Sequence, residues 1–284
     1  MTVSIAHLGP PGTYAEAATL VYADYLTQTT GHKPLLCPYP SITQTLQAVA
    51  NGDVTLGVVP VENSIEGSVT ITLDAIWKLD LIRIQQGLVL PISHALLSNA
   101  QELAEIKTVY SHPQALAQCQ GWLEKFLPNV QAIPTNSTTE ALQYLQDTTT
   151  AAIASGRAAE LYQLPILAHP INDYPDNCTR FWVVSLQPWP GGNYTSLAFS
   201  VPANVPGALV KPLQIFAQRN INLSRIESRP TKRSLGDYLF FIDIEANTDH
   251  QSVREALQEL KTHTETLKIF GSYSILNHQP QSPC

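Results

Sequence analysis

The segment Gln187-Pro-Trp-Pro-Gly-Gly-Asn193 decides how the chain divides, and with it the fold. Two prolines followed by two glycines continue neither a helix nor a central strand. The segment therefore reads as a linker over 188–193, between a first part at 1–187 and a second at 194–276. The two sides differ in charge. Residues 1–192 carry 7 Lys/Arg against 15 Asp/Glu, a net −8, while the remainder is +1.

Upstream, short apolar runs alternate with amphipathic stretches. Strands are expected at Val3–Leu8, Val54–Val59, Leu81–Leu90, Lys107–Tyr110, Val130–Ile133, Ala151–Ala154 and Phe181–Leu186. Helices are expected near 14–28, 42–50, 69–78, 113–126, 138–146 and 157–163. This alternation predicts an α/β domain with a mainly parallel sheet, large enough for two lobes. Downstream the order changes to Ser196–Val201 strand, Gly207–Arg219 helix, Leu223–Glu227 strand, Tyr238–Glu245 strand, Ser252–His263 helix and Leu267–Tyr273 strand. That βαββαβ order is ferredoxin-like.

The 284 residues are 44% apolar and only 14% charged, with a net charge of −7, which argues against a nucleic-acid binder. No window approaches ~20 unbroken apolar residues, so no membrane span is expected. The N-terminus MTVSIAHLGPPG has no secretory pattern. Cys37, Cys119, Cys178 and Cys284 form no metal knuckle or CxxC pair, and read as free thiols in a reducing cytoplasm. The tail from His278 to Cys284 is expected to be disordered.

A hydroxyl three residues before Glu or Gln recurs four times: Thr13–Glu16, Ser41–Gln44, Ser111–Gln114 and Ser137–Glu140. Each fits a capping box. Three follow strands, where open α/β sheets bind ligands and helix N-termini offer free N–H groups. In a part with seven cations, such dipoles are the economical way to hold a small anion. A second cluster, Val61-Glu-Asn-Ser-Ile-Glu-Gly-Ser-Val69, offers Glu62, Asn63, Ser64 and Ser68 on a turn relaxed by Gly67; an ordinary polar turn fits equally. The third is Asn172-Asp-Tyr-Pro-Asp-Asn-Cys-Thr-Arg-Phe181. There Arg180 can grip a carboxylate, beside the Thr179 hydroxyl and the apolar Phe181, or can be a surface arginine on an edge strand. The histidines form no HxxxH or HxH pair, and no GxGxxG, GxxxxGK[ST] or GxSxG occurs, so no metal or cofactor is expected.

GPPGTYAE at 9–16, VPVENSIEGSV at 59–69, SHPQALAQC at 111–119 and DxxxNxTRF at 173–181 resemble the prephenate dehydratase family. Pro206-Gly-Ala-Leu209 and Glu227-Ser-Arg-Pro230 resemble the phenylalanine-binding motifs of its ACT regulatory domain. Ala15 departs from the serine frequent in the family's GTYSE. With no mutase segment before residue 1, the resemblance is to the monofunctional form.

The resemblance implies two lobes like a type II periplasmic binding protein, an active site between them, and an ACT domain behind. It implies conversion of prephenate to phenylpyruvate, CO2 and water, with no cofactor. The catalytic set it implies is Thr179, Arg180, Phe181, Glu62 and Asn63. Thr179 would donate a hydrogen bond to the departing oxygen, with the proton relayed from Glu62, His112 or water. Phe181 would supply a dry wall for decarboxylation. Arg180 and the helix starts near Thr13, Ser111 and Ser137 would hold the pyruvyl carboxylate. Substrate contacts are expected from Thr13, Tyr14, Ser64, Gly67, Ser68, Ser111, His112, Gln114, Asn136, Ser137 and Thr138. Gly207, Ala208, Leu209, Glu227, Ser228, Arg229 and Pro230 would bind phenylalanine between ACT domains of a homodimer or homotetramer. Arogenate dehydratase, or a non-catalytic amino-acid sensor, is the alternative.

Overall fold

The computed structural model describes residues 3–277, so the tail from His278 to Cys284 lies outside the described residues. The first lobe contains β1 (Ser4–Leu8), α1 (Tyr14–Thr30), β2 (Leu35–Tyr39), α2 (Ile42–Asn51), β3 (Leu56–Asn63), β4 (Gly67–Ser68), α3 (Thr70–Trp77) and β5 (Arg83–Pro91). The second contains β6 (His94–Leu97), β7 (Thr108–Ser111), α4 (Pro113–Gln118), α5 (Gln120–Phe126), β8 (Gln131–Pro134), β9 (Thr150–Ser155), α6 (Gly156–Tyr162) and β10 (Ile166–Ala168). Strand β11 (Cys178–Ser185) then returns to the first lobe.

The caps explain the helix ends. Thr13 Oγ1 accepts from the Glu16 amide at 3.3 Å, and Ser41 Oγ from the Gln44 amide at 3.2 Å. Gly31 and Gly52 close α1 and α2 with φ of +75° and +79°, a conformation open to glycine at no steric cost. The stretch expected as one helix at 113–126 breaks at Cys119 into α4 and α5, and that expected at 138–146 is a 3₁₀ turn over Glu140–Tyr144.

The expected mainly parallel sheets are instead mixed. The first-lobe sheet runs β16-β5-β11-β3-β1-β2, where β16 is Ile275–Asn277, with β4 on β3, and the second runs β10-β6-β9-β7-β8. β1 pairs parallel with β2 and β3, but β11 is antiparallel to both β3 and β5. The direction of β11 is set by the chain crossing back from the other lobe, which a local pattern does not encode. It is covered on both faces, so its Phe181-Trp-Val-Val184 run is continuously apolar and buried. Phe181 and Val183 pack under α1 with Ile5, Ala15 and Ala18. Trp182 and Val184 pack on the other face with α2 residues Leu46 and Val49. Full burial of each such side chain is worth about 1.5–3 kcal/mol.

The second part contains β12 (Tyr194–Ser200), α7 (Val210–Gln218), β13 (Leu223–Pro230), β14 (Tyr238–Ile244), α8 (Gln251–Thr262) and β15 (Thr266–Tyr273), in the βαββαβ order. Its sheet, β13-β14-β12-β15, has helices on one face, over Leu197, Phe199, Ile242 and Ile244. The other face brings Ala198, Phe241, Phe270 and Tyr273 onto Trp182 and Val184 of the first lobe, in one shared core. The approach is close: a Cβ on Gly192 would lie 2.0 Å from the Tyr273 carbonyl carbon, and one on Gly271 2.9 Å from the Ile84 oxygen. Past Tyr273, β16 (Ile275–Asn277) adds to the first-lobe sheet, parallel to β5.

Candidate active site

A cleft of about 1000 Å³ opens between the two lobes. Its first-lobe wall comes from the loop before α1, the ends of β3 and β11, and the start of α2; its second-lobe wall comes from α4 and the 136–143 turn. Thr13, Tyr14, Asn63, His112, Gln114, Asn136, Ser137, Thr138, Thr179 and Phe181 line it together.

Thr179 and Asn63 come from segments over a hundred residues apart, and the antiparallel register of β11 and β3 makes them direct partners. Asn63 Oδ1 accepts from the amides of Ile65 at 3.0 Å and Glu66 at 3.1 Å. Its Nδ2 therefore faces the other way and donates to Asn177 Oδ1 at 2.8 Å and Thr179 Oγ1 at 3.0 Å. The orientation then propagates. Asn177 Nδ2 donates to Gln118 Oε1 at 2.9 Å, and that same oxygen accepts from His94 Nε2 at 3.0 Å. Burial holds the His94 pKa below its ordinary value, against the opposing bond to Gln118, so the ring is neutral with its proton on Nε2. Tyr14 closes the array, its hydroxyl donating to the Ser93 carbonyl at 2.6 Å beside His94 Nδ1. Burial pushes the Tyr14 phenol well above its usual range, so it stays protonated. The consequence lies at Thr179. Its oxygen accepts from Asn63, so its own hydrogen is left for a group in the cleft.

Gln118 and His94 were not singled out from sequence, and Asn177, the N of DxxxNxTRF, was given no role. The signal for Gln118 was available: Gln114 and Gln118 stand four apart on one helix and share a face.

Other expected residues fall elsewhere. Arg180 does not face the cleft. Neighbours on a strand point to opposite faces, so with Thr179 inward Arg180 turns to the second part. There it pairs with Glu62 and, at 3.3 Å, with Asp243 of β14. Glu62 alternates with Asn63 in the same way, so neither Arg180 as carboxylate grip nor Glu62 as proton relay fits. Ser111 is fully buried and donates to the Ile153 carbonyl at 2.6 Å; the α4 cap is His112, whose Nδ1 accepts from the Gln114 amide at 3.3 Å. Ser64 holds the Cys178 amide at 3.0 Å, and Gly67 and Ser68 form β4 against Asn63 and Glu62; none of the three lines the cleft. The helix starts contribute less than expected. α4 has only six residues, and Glu16 already sets a carboxylate on the α1 start, accepting from the Gly12 amide at 2.7 Å.

The described lining residues include no Lys or Arg, and Glu140 is the one acid, its oxygens taken by the Asn136 amide at 2.9 Å and side chain at 3.2 Å. Burial lowers the His112 pKa, with Glu66 opposing. Among the described residues, no group of three or more His, Cys, Asp or Glu could hold a metal ion.

In the second part, Gly207-Ala-Leu209 form the turn before α7, three residues later than the expected helix start, with Gly207 at φ +81°. Glu227-Ser-Arg-Pro230 forms the end of β13, which runs three residues past the expected strand end at Glu227. Arg229 is held by Asp74 of α3 at 3.0 Å, and Lys232 joins the same carboxylate at 2.6 Å.

Comparison with known proteins agrees with this geometry. A family model for prephenate dehydratase matches residues 5–188, and one for the ACT domain matches 195–262. The chain is 40% identical to a prephenate dehydratase of Methanocaldococcus jannaschii, over 98% of this chain and 100% of that protein. It is 42% identical to a bifunctional chorismate mutase/prephenate dehydratase of Aquifex aeolicus, covering 95% of this chain and 73% of that protein. The crystal structure of prephenate dehydratase from Arthrobacter aurescens in complex with L-Phe superposes with a TM-score of 0.84 at 36% identity, covering 96% of this chain and 90% of that one. With motif order, paired lobes and relatives in accord, the chain belongs to the prephenate dehydratase family and carries an ACT domain at its C-terminal side.

Proposed function

We infer that the chain is a prephenate dehydratase, converting prephenate to phenylpyruvate, CO2 and water. One observation carries the mechanism: the Thr179 hydroxyl is fixed as an acceptor toward Asn63, so toward the cleft it is a donor. In the reaction the bond from the ring to its carboxylate breaks and CO2 leaves. That electron pair aromatises the ring and expels the 4-hydroxyl, which takes up one proton and departs as water. Hydroxide is a poor leaving group, so a donor at the departing oxygen lowers the barrier. Thr179 supplies the hydrogen bond, with His112 or water as the proton source. A threonine hydroxyl is too weak an acid to give up its proton outright.

The rest of the cleft suits the other half. A ring carboxylate that must lose its charge as CO2 forms is best left without a strong partner, because ground-state stabilisation raises the barrier. Buried Phe181 and the absence of Lys or Arg among the described lining residues meet that need. The pyruvyl carboxylate keeps its charge and falls to the neutral donors Asn136, Ser137 and Thr138. Glu140, the one acid among the described lining residues, already accepts from Asn136 on both oxygens, which supports prephenate over arogenate.

The ACT domain supports a small-molecule effector, and the L-Phe bound in the Arthrobacter structure supports reading it as phenylalanine. The exposed apolar residues Val205, Val210 and Ile226, the last on β13 at the edge of its sheet, favour pairing of ACT domains in at least a homodimer. We place the enzyme in the cytoplasm, with the catalytic part at 1–187, the linker at 188–193 and the ACT part at 194–276. The deciding experiment is Thr179→Val assayed with prephenate and with arogenate. Turnover falls ~10²–10⁴-fold while substrate binding persists, and Thr179→Ser retains most activity. Undiminished turnover in Thr179→Val removes the donor role, and equal rates on both substrates remove the specificity.

A further inference from the structure

Behind the cleft, on the opposite face of β11, lies a buried array of charges shared between the two parts of the chain. Asp243 of β14 is wholly buried and accepts from Arg225 Nε at 2.7 Å, Arg225 Nη2 at 3.2 Å and Ser196 Oγ at 2.6 Å. Arg180 reaches across the domain boundary to the same carboxylate at 3.3 Å and holds Glu62 with its other nitrogen. Arg225 lies over the Trp182 ring at 5.6 Å, and Trp182 Nε1 donates to the Tyr273 hydroxyl at 3.2 Å. Two guanidinium groups and two carboxylates balance in charge, while Arg225 Nη1 is buried without a hydrogen-bond partner. Burial works against the ionised Asp243, yet the two arginines outweigh it and keep its pKa below the usual carboxylate range.

Buried ion arrays contribute little net stability, because desolvation offsets attraction and apolar side chains of similar volume serve as well. What this array supplies is directional constraint. Arg180 is the residue after Thr179 on one strand, so fixing its guanidinium fixes the backbone that aims the hydroxyl. Its fork spans Glu62 on β3, beside Asn63, and Asp243 on the ACT sheet. The two residues that set the hydrogen bond in the cleft are thus each followed or preceded by one arm of the clamp behind it.

We propose that Asp243 is a positioning residue for the dehydration: through Arg180 it holds the β11–β3 pair in the register and tilt that present the Thr179 hydroxyl, so the ACT domain is part of the catalytic geometry. The proposal rests on the donor role assigned to Thr179. A phenylalanine-dependent shift of the ACT sheet would then reach the cleft in one step, through a contact between two side chains.

The test is steady-state kinetics on full-length Asp243→Asn and Arg180→Lys beside Thr179→Val, with melting curves and far-UV circular dichroism for each. Lys keeps the charge but not the fork, so it can hold one carboxylate and not both. Both positioning variants should lower kcat roughly tenfold to a hundredfold with KM within about twofold, the signature of misplacement by a fraction of an ångström. A residue important only for folding would lower the melting temperature and leave kcat per folded molecule intact. If Asp243→Asn fails to fold, Arg180→Lys alone carries the test. Wild-type kcat in a folded positioning variant, with Thr179→Val inactive, overturns the proposal and leaves the donor role standing. An active Thr179→Val overturns the donor role itself.

Discussion

The two faces of strand β11 solve opposite problems with opposite materials. On the cleft face, Thr179 meets Asn63, which is linked in turn to Asn177, Gln118 and a neutral His94: amides, a hydroxyl and an uncharged ring. On the other, one residue along, Arg180 meets Glu62, Asp243 and Arg225 in an array of full charges. A substrate that arrives with two negative charges and leaves with one is poorly served by fixed cations, which would hold product and ring carboxylate alike. Two domains that must keep one orientation are well served by charges, because losing one partner leaves another buried and unpaired. Dipoles are used where something must pass, and ions where two parts must be coupled.

Four experiments sharpen that contrast. Asn63→Leu should have the largest effect, lowering kcat by ~10²–10³ because Thr179 loses its orienting donor; retained turnover would mean that the hydroxyl is aimed by something else. Gly192→Ala comes next. Its Cβ would collide with the Tyr273 backbone, at a cost on the order of 3 kcal/mol read as a lowered urea midpoint. The expected pattern is weakened domain packing with the cleft network intact, and a variant that loses kcat while keeping its midpoint would contradict the division of labour.

Acid comes third. His7, His94 and His112 are held below the ordinary 6.5 chiefly by burial, so the unfolded chain binds more protons than the folded one as pH drops beneath that value. Stability conferred by the neutral rings is complete above about 6.5 and is lost progressively on acidification toward the lowered values. The melting temperature should decline from pH 7 to 5, less steeply in His94→Gln. Asp243 works in a different window: its depressed pKa keeps it ionised there, and its contribution fades only below the usual carboxylate range. A melting temperature flat over pH 7 to 5 would count against neutral buried rings. The smallest effect is expected from Asp74→Ala. This carboxylate is about one-fifth exposed, and losing its bonds to Arg229 and Lys232 should cost under ~1 kcal/mol, less still in 1 M salt. A larger loss, insensitive to salt, would place that pair with the buried array.

Sequence reading captured the alternation of elements and the βαββαβ order, because each rests on local periodicity. Strands Leu35–Tyr39, His94–Leu97 and Ile166–Ala168 escaped it. The first carries Pro38 on an edge, and the other two are only three or four residues long. The reversed direction of β11 is a property of chain return between lobes and has no local trace. The misplacement of Arg180 and Glu62 is more instructive. With the last strand of the first part begun at Phe181, Thr179 and Arg180 fell in a loop, where neighbours are free to converge. The strand begins at Cys178, and from that point alternation forbids both from facing the cleft. The same rule separates Glu62 from Asn63. What sequence could not give was the pairing of Asn63 with Thr179 and of Arg180 with Asp243, since only the folded sheet order brings those segments side by side.

The return of Ile275–Asn277 to the edge of the first-lobe sheet has a mechanical meaning. A regulatory module joined by a single linker swings like a pendant. This one enters through 186–193 and exits through a strand stitched into the sheet it regulates, so the chain is anchored on both sides of the module. The remaining freedom is torsion about the line between the two anchors. A shift of the module would therefore twist β5 and its neighbour β11 as well as load the Arg180–Asp243 contact.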